Sequence, residues 1–143
     1  MTESATGRDA ARQSIGIAVV ERTGEYLVGI RDAQSHLPGK AEFPGGKCEP
    51  GEPSAACAVR ECLEETGLKV DVDRLLYERD FDYEHARVRL SFFLCRPIGT
   101  SDAAPTGWQW IPAAQLTDLD FPEANAPVIQ LLVDRHLPVQ DHA

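Results

Sequence analysis

The sequence predicts a single α/β domain in which helices pack on the faces of a mixed β-sheet. Apolar residues alternate from Arg87 to Arg96, as is typical of a strand, while two other segments carry helical periodicity. The 143 residues fit one domain with a core of its own. We expect residues 13–137 to form this domain, residues 1–12 to be a disordered N-terminal segment and residues 138–143 to be a C-terminal tail.

A β-hairpin opens the predicted sheet. Ser14 to Val20 and Glu25 to Ile30 read as strands on either side of a turn at Thr23-Gly24. The elements predicted after the first helix are one or two extended segments in Val70 to Asp82, a strand at Arg87 to Arg96, a loop at Pro97 to Gly107, a strand at Trp108 to Ile111, a helical turn at Ala113 to Leu116 and a helix from Glu123 to Arg135 that begins near Pro122.

The first helix is predicted from about Pro53 to Thr66, and both of its ends are marked in the sequence. Pro53 suits a first helical turn, and Gly67 suits the left-handed residue that commonly ends a helix. Its apolar residues share one face, which we expect to pack on the core: Ala55, Ala56, Val59, Cys62 and Leu63. The opposite, acidic face is then expected to point away from the core.

That acidic face is the main functional signal. Glu61, Glu64 and Glu65 fall on one narrow side of the helix, where their like charges repel one another. A hard divalent cation would offset this repulsion, and oxygen ligands of this kind suit Mg²⁺, with Mn²⁺ as an alternative. Arg60 can pair with Glu64 one turn later. A solvated acidic surface is the competing interpretation, but the Gly-Gly pair just upstream, which lets backbone approach a ligand closely, favours a site.

Composition excludes several other classes of protein. With 14 basic and 23 acidic side chains the formal charge is −9, which disfavours binding to a polynucleotide backbone. A small nucleotide already bound to a metal ion is a better partner. The sequence contains no long apolar run and no apolar stretch near its start, so we expect neither a membrane span nor a cleaved leader. Four cysteines without metal-site spacing predict free thiols and a cytoplasmic protein.

Loop and helix together resemble a known motif, the Nudix box. The matching positions over the stretch from Gly46 to Leu68 are Gly46, Glu52, Arg60, Glu61, Glu64, Glu65, Gly67 and Leu68. Cys62 stands where the family usually has an aliphatic residue, and a buried cysteine behaves as a small hydrophobe. The resemblance implies the Nudix α/β/α sandwich and the hydrolysis of a nucleoside diphosphate linked to another group.

The resemblance also implies roles for individual residues. Glu64 and Glu65 are expected to be metal ligands, together with the backbone carbonyl of Gly45. Glu61 is expected to bind metal or to act as the general base, and Arg60 to orient the carboxylates.

Two further residues of this region keep two interpretations each. Glu52 could contact a second metal ion or cap the N-terminus of the helix, where negative charge is favoured. Lys47 could bind substrate phosphate or be an ordinary solvated lysine.

Three stretches look similar to the MutT subgroup, which removes oxidised guanine nucleotides such as 8-oxo-dGTP from the precursor pool. They are Glu42 to Lys47, Trp108 to Ile111 and Phe121 to Ile129. The match assigns base recognition to Asn125, whose carboxamide offers a donor and an acceptor to an oxidised purine edge. Helix capping is the competing role for this asparagine.

Other substrate contacts are assigned in the same way. Phe43 and Tyr83 are expected to stack on the base, with core packing as the alternative. Arg31 and His36 occupy positions that resemble phosphate-side and sugar-side contacts.

The sequence departs from the subgroup at two places. A further metal-ligating glutamate is expected in the loop before Trp108, but the segment from Pro97 to Gly107 is short and contains only Asp102. A basic residue is also expected ahead of the strand that contains Val88, yet Ala86 stands at the matching offset with Arg87 beside it.

These observations lead to one principal hypothesis and two alternatives. The principal one is a Mg²⁺-dependent pyrophosphohydrolase that converts a nucleoside triphosphate to a monophosphate and pyrophosphate, acting on oxidised guanine nucleotides as a monomer or homodimer. The first alternative is a Nudix hydrolase of CTP or modified dCTP, nucleotide sugars or dinucleoside polyphosphates. The second is a nucleotide-sensing module without catalytic activity.

Overall fold

The computed structural model describes residues 12–31, 39–99 and 103–136. The strands are β1 (Arg12–Arg22), β2 (Glu25–Ile30), β3 (Ala41–Glu42), β4 (Gly45–Lys47), β5 (Val70–Asp82), β6 (Arg87–Pro97) and β7 (Trp108–Pro112). The helices are α1 (Ser54–Thr66), α2 (Ala126–Arg135) and two 3₁₀ helices at Ala113–Asp118 and Glu123–Asn125. The expected N-terminal segment and C-terminal tail lie outside the described residues, except for Arg12, which begins β1.

The strands of the described chain form one mixed sheet, as the sequence predicts. Its main order is β3-β2-β1-β6-β5, with β4 paired to β1 and β7 paired to β2. β1 and β6 are parallel over residues 12–20 of β1, whereas the other pairs are antiparallel. β1 therefore organises the sheet, because it pairs with β6, β4 and β2 at successive positions.

The two faces of the sheet carry separate hydrophobic clusters. One contains Val19, Phe92 and residues of α2, and the other contains Ala18, Phe93 and residues of α1. Helices thus cover both faces, which confirms the α/β/α sandwich. The centre of β6 is buried on both sides, from Ser91 to Cys95.

The orientation of α1 differs from the sequence prediction. Its buried residues are Cys57, Ala58, Cys62 and Thr66, whereas Leu63 is 42% exposed. The reason is a close approach between α1 and β1 at Gly16, where only small side chains on the helix fit. Glu64 and Glu65 are exposed, as the sequence predicts for the acidic face, whereas the Glu61 carboxylate lies against β4.

The ends of α1 follow the sequence closely. Pro53 precedes the first helical residue in an extended conformation, and Gly67 ends the helix with a φ of 78°. The two short strands β3 and β4 were not predicted, since a two-residue and a three-residue strand in a glycine-rich loop leave no periodic signal.

A buried ionic cluster fixes the end of α2 against the sheet. Glu21 of β1 is only 5% exposed and accepts hydrogen bonds from Arg135 at 3.0 and 3.1 Å. It also contacts the Tyr26 hydroxyl, Arg96 at 3.0 Å and His136 at 3.1 Å. Burial, together with the Glu21 contact, raises the pKa of Tyr26 to about 12. This cluster holds the helix that begins directly after Asn125.

The close approach at Gly16 gives the first prediction. A Cβ atom there would lie 2.6 Å from the Ser54 carbonyl oxygen and 2.8 Å from the Ala58 amide nitrogen. Both are backbone atoms, so Gly16→Ala must displace α1 and should lower the free energy of unfolding by about 1–3 kcal/mol. Urea unfolding measures the change. The control Ser14→Ala, two residues earlier in the same strand, should stay within about 0.5 kcal/mol of the parent; equal stability of the two variants would contradict the packing argument.

Candidate active site

A large cleft of about 1280 Å³ opens on the face of the sheet that also carries α2. Alternating residues of three adjacent strands form its floor: Ile15 and Ile17 of β1, Val88, Leu90 and Phe92 of β6, and Arg79 and Phe81 of β5. The segments 40–47 and 122–127 form its walls. The cleft has the size and mixed apolar and polar lining of a small-molecule site.

The acidic helix meets this cleft along β4. Gly45, Gly46 and Lys47 lie at the margin of the cleft, and each contacts a residue of α1. The Gly45 amide donates to Glu65 Oε1 at 2.9 Å, and the Lys47 carbonyl accepts from Arg60 Nη2 at 3.1 Å. The Glu61 carboxylate lies directly against Gly46, in the space that a Cβ atom would fill. A Cβ atom at this position would require the Glu61 carboxylate to move.

Arg60 organises the carboxylates. It binds both oxygens of Glu52, with Nε to Oε2 at 2.8 Å and Nη2 to Oε1 at 2.9 Å. Its Nη1 donates to Glu64 at 2.8 Å and to Glu61 at 3.1 Å. The pairing with Glu64 expected from the sequence is present. With the Lys47 carbonyl as a further acceptor, each of the five guanidinium N–H groups has a partner.

The two carboxylate oxygens of Glu52 bind Arg60 and do not cap the N-terminus of α1. Arg60 lowers the pKa of Glu52 to about 2, and the Glu49 amide, which donates to Oε1 at 3.0 Å, adds to the effect. No side chain caps the first turn of α1. The expectation that Glu52 caps the helix is therefore wrong, because its two oxygens turn toward Arg60.

Glu65 is the carboxylate least compensated by protein groups. Burial raises the pKa of Glu65 to about 7, and the nearby Glu42 and Glu61 carboxylates raise it further against the hydrogen bond from Gly45. Concentrated carboxylate oxygens whose charge the protein does not balance fit a hard divalent cation. Glu61, Glu64 and Glu65, the ligands expected from the sequence, lie on one helix beside the Gly45 backbone. Glu42 is an additional carboxylate that helical periodicity could not bring to the site.

The side chains expected to recognise a base also line the cleft. Phe43 is 6% exposed and stacks on Phe121, with ring centroids 5.0 Å apart, so it belongs to the core and also lines the cleft. Asn125 lines the cleft as part of segment 122–127. Its Nδ2 donates to the Pro122 carbonyl at 3.4 Å, and it makes no capping hydrogen bond to α2. The alternative role of Asn125 as a helix cap is therefore not present.

The remaining expected contacts lie around the rim. Tyr83 is 54% exposed and stacks on Phe81, which excludes the core role considered for it. Arg31 lies 3.4 Å from Glu42, and Lys47 presents an exposed side chain at the β4 margin. His36 and Asp102 lie outside the described residues.

Sequence reasoning missed three basic residues that line the cleft, Lys40, His85 and Arg79. Arg79 of β5 packs over the Phe81 ring at 4.9 Å and lines the cleft, whereas Arg87 pairs with Asp82 at 3.3 Å. The alternation of Arg79, Phe81 and Tyr83 along one strand face could have revealed it. Arg79 of β5 therefore places a positive charge in the cleft, whereas the position just ahead of Val88 does not.

Comparison with known proteins agrees with this geometry. The sequence is 32% identical over 124 residues to the 8-oxo-dGTP diphosphatase of Escherichia coli, covering 83% of this chain and 93% of the relative. It is 46% identical over 55 residues to the CTP pyrophosphohydrolase of E. coli, covering 38% and 41% of the two chains. A MutT structure from work on Aliivibrio salmonicida and Vibrio cholerae superposes with a TM-score of 0.66 at 28% identity, over 86% of this chain and 97% of that one.

Within the described residues, no helix is long and apolar enough to cross a membrane. All four cysteines are free thiols, as the sequence predicts.

The profile of the NUDIX domain matches residues 10–132, a range that contains α1, the cleft and Asn125. Proteins of this kind generally depend on a divalent metal ion. On the length of this match and the extent of the similarity, the chain belongs to the NUDIX domain family.

Proposed function

We propose that this Nudix hydrolase converts nucleoside triphosphates to monophosphates and pyrophosphate with Mg²⁺, and that oxidised guanine nucleotides such as 8-oxo-dGTP are its preferred substrates. One observation carries the proposal. The carboxylates of α1 meet β4 at the margin of the same cleft that Asn125 and Phe43 line. The same cleft thus offers a phosphate end and a base end to a single nucleotide.

The phosphate end would hold the metal ion through Glu64, Glu65 and the Gly45 carbonyl. When bound, a divalent cation polarises a phosphoryl oxygen and lowers the pKa of a coordinated water. Glu61 would accept the proton of the attacking water, since Arg60 and Gly46 fix its carboxylate beside β4. The water oxygen bonds to one of the two phosphorus atoms that share the α–β bridging oxygen, and the P–O bond from that atom to the bridge breaks. The products are the nucleoside monophosphate and pyrophosphate.

Charge at the cleft supports an anionic substrate that arrives with its metal ion. Lys47 lies at the β4 margin, and Arg79 lies on the floor near the β5–β6 turn. Either can contact phosphate oxygens, while the surrounding carboxylates repel a nucleotide that lacks a cation. This arrangement favours a compact metal-bound nucleotide over a polynucleotide, and manganese is the alternative metal.

The base end would select its substrate through hydrogen bonds and stacking. Oxidation of guanine turns N7 from an acceptor into a donor, and the Asn125 carboxamide can accept from it while donating to a neighbouring carbonyl. The similarity to the E. coli 8-oxo-dGTP diphosphatase, which extends over most of both chains, supports this assignment.

Hydrolysis of CTP or modified dCTP is the second candidate, because of the shorter similarity to the CTP pyrophosphohydrolase. A panel of 8-oxo-dGTP, dGTP, CTP, a nucleotide sugar and a dinucleoside polyphosphate with Mg²⁺, with products identified, separates the candidates. We expect the highest kcat/KM for 8-oxo-dGTP and pyrophosphate as its co-product. A higher value for CTP or the nucleotide sugar would overturn the substrate assignment, and binding without turnover would indicate a sensing module.

The general-base role of Glu61 gives a second prediction. Glu61→Gln keeps the shape of the side chain but removes its charge, so kcat should fall by roughly 10²- to 10⁴-fold while thermal unfolding changes little. Glu49→Gln, at an exposed position of the same segment, is the matched control and should retain the parent rate. Steady-state hydrolysis with Mg²⁺ measures both, and an unchanged rate in Glu61→Gln would remove this residue from the mechanism.

The environment of Glu65 gives a pH prediction. Its pKa of about 7 in the folded protein lies above the ordinary value of 4.5, so the folded state keeps a proton that the unfolded state releases between these two values. Raising the pH through this window therefore favours unfolding of the metal-free protein. Thermal unfolding should show Glu65→Gln gaining stability relative to the parent as the pH rises from about 4.5 to 7.

Metal addition tests the same environment. Because Mg²⁺ binds the charged carboxylate, it should stabilise the parent more at pH 8 than at pH 6. The Glu65→Gln variant should show a smaller Mg²⁺ effect at both pH values. A parent protein with the same Mg²⁺ stabilisation at both would contradict the assignment of Glu65 as a ligand that protons compete for.

Base recognition by Asn125 gives a fourth prediction. Asn125→Ala should reduce the ratio of kcat/KM for 8-oxo-dGTP over dGTP by about tenfold or more, because a polar pair to the oxidised edge is lost. The Mg²⁺ dependence should stay the same. Gln130→Ala, on an exposed part of α2 away from the cleft lining, is the control. An unchanged ratio in Asn125→Ala would assign selectivity to other residues.

A further inference from the structure

A second group of metal-ligating side chains lies where the loop after β4 meets the start of α1. Cys48, Glu52 and Cys57 each place one potential ligand atom within 4.8 Å of the other two. None of the three lines the nucleotide cleft. Cys48 is partly exposed, whereas Cys57 is fully buried, so the group is reached from one side only.

The two thiols are close to each other without forming a disulfide. The Cys57 thiol donates to the Gly46 carbonyl at 3.3 Å and lies within hydrogen-bonding reach of both Cys48 and Glu52. Burial raises the pKa of Cys57 to about 12, and the neighbouring Cys48 adds to the rise. A cation bound between the three ligand atoms would displace the proton that this thiol donates to the Gly46 carbonyl.

The donor set differs in kind from that of the catalytic carboxylates. Two sulfur ligands and one carboxylate suit a thiophilic cation such as Zn²⁺, which binds three protein ligands and leaves a fourth position for water. Mg²⁺ prefers an all-oxygen shell. The two sites can therefore be loaded separately in one protein.

Charge and hydrogen bonding around Glu52 are also compatible with a cation. Two thiolates, one carboxylate and a dication leave one net negative charge, and the Arg60 guanidinium lies against both Glu52 oxygens at 2.8 and 2.9 Å. Two N–H groups of Arg60 and the Glu49 amide use about three of the four lone pairs of Glu52. The Cys57 thiol is within hydrogen-bonding reach of this carboxylate, so one lone pair remains for a cation bound between Glu52 and Cys57.

We propose that Cys48, Cys57 and Glu52 form a second metal site, for Zn²⁺ or a similar thiophilic divalent cation, next to but separate from the catalytic carboxylates. The proposal does not rest on the proposed substrate, because its ligands lie outside the cleft. Glu52 joins the two sites, since the carboxylate that would bind the cation also holds Arg60.

Two measurements on the full chain test the proposal, both in excess Mg²⁺ so that the oxygen ligands are loaded. The first is the alkylation rate of Cys48, read by mass spectrometry with and without Zn²⁺; we expect Zn²⁺ to slow it by about tenfold or more, because a coordinated thiolate is shielded. The second is a titration with Co²⁺ in place of Zn²⁺, which should produce a thiolate-to-metal charge-transfer absorption that saturates at one ion per chain.

Three variants separate this site from other sources of binding. Cys48→Ser, at a partly exposed position, should abolish the Co²⁺ absorption while the protein remains folded. Cys57→Ala should remove the protection of Cys48 by Zn²⁺. Cys95 is a buried cysteine of β6 that is not part of the proposed site, so Cys95→Ala is the control and should leave both signals unchanged.

Either of two results would overturn the proposal. One is an alkylation rate of Cys48 that Zn²⁺ does not change in the parent protein. The other is a Co²⁺ absorption that persists in Cys48→Ser. Neither measurement uses nucleotide hydrolysis, so failure of this proposal and failure of the proposed function can be told apart.

Discussion

The rest of the site depends on the hydrogen bonds and ion pairs of the Arg60 guanidinium. One side chain holds Glu52 of the loop, Glu61 and Glu64 of α1, and the carbonyl of Lys47 in β4. Without it, carboxylates within two helical turns would repel one another. The other contacts between β4 and α1, from the Gly45 amide to Glu65 and from the Cys57 thiol to the Gly46 carbonyl, would not balance their charge. One guanidinium donates to several partners at once, so it fixes their positions and balances their negative charge, which a set of separate lysines could not do.

The close approach of α1 to the sheet is the second constraint, and glycine makes it possible. Gly16 allows the helix backbone to contact β1, and Gly46 leaves room for the Glu61 carboxylate against β4. The cost is visible at Glu65, whose raised pKa shows that its charge is poorly compensated by the protein. A divalent cation bound at the proposed metal site would relieve this cost.

The two ends that we propose for the cleft are assembled in different ways. The proposed phosphate end comes from one continuous stretch of chain, where a helix and the loop before it supply the carboxylates. The proposed base end combines Phe43, Phe121 and Asn125 with a floor from three strands, and it depends on the position of α2. The buried Glu21 cluster at the far end of α2 sets that position. In this proposal selectivity relies on packing far from the chemistry, whereas catalysis relies on local sequence.

The sequence by itself determined the order of the elements, the helix with its three carboxylates, and membership of the family, because these depend on local periodicity and on spacing within one segment. Only the tertiary structure decided which way α1 faces, that β4 exists, and that Arg79 enters the cleft. Cys57 and Ala58 give little hydrophobic contrast, so a helical wheel assigned the core to Leu63 instead. Strands that are distant in the chain pair with each other and bring their residues together. The periodicity of each segment does not show this proximity.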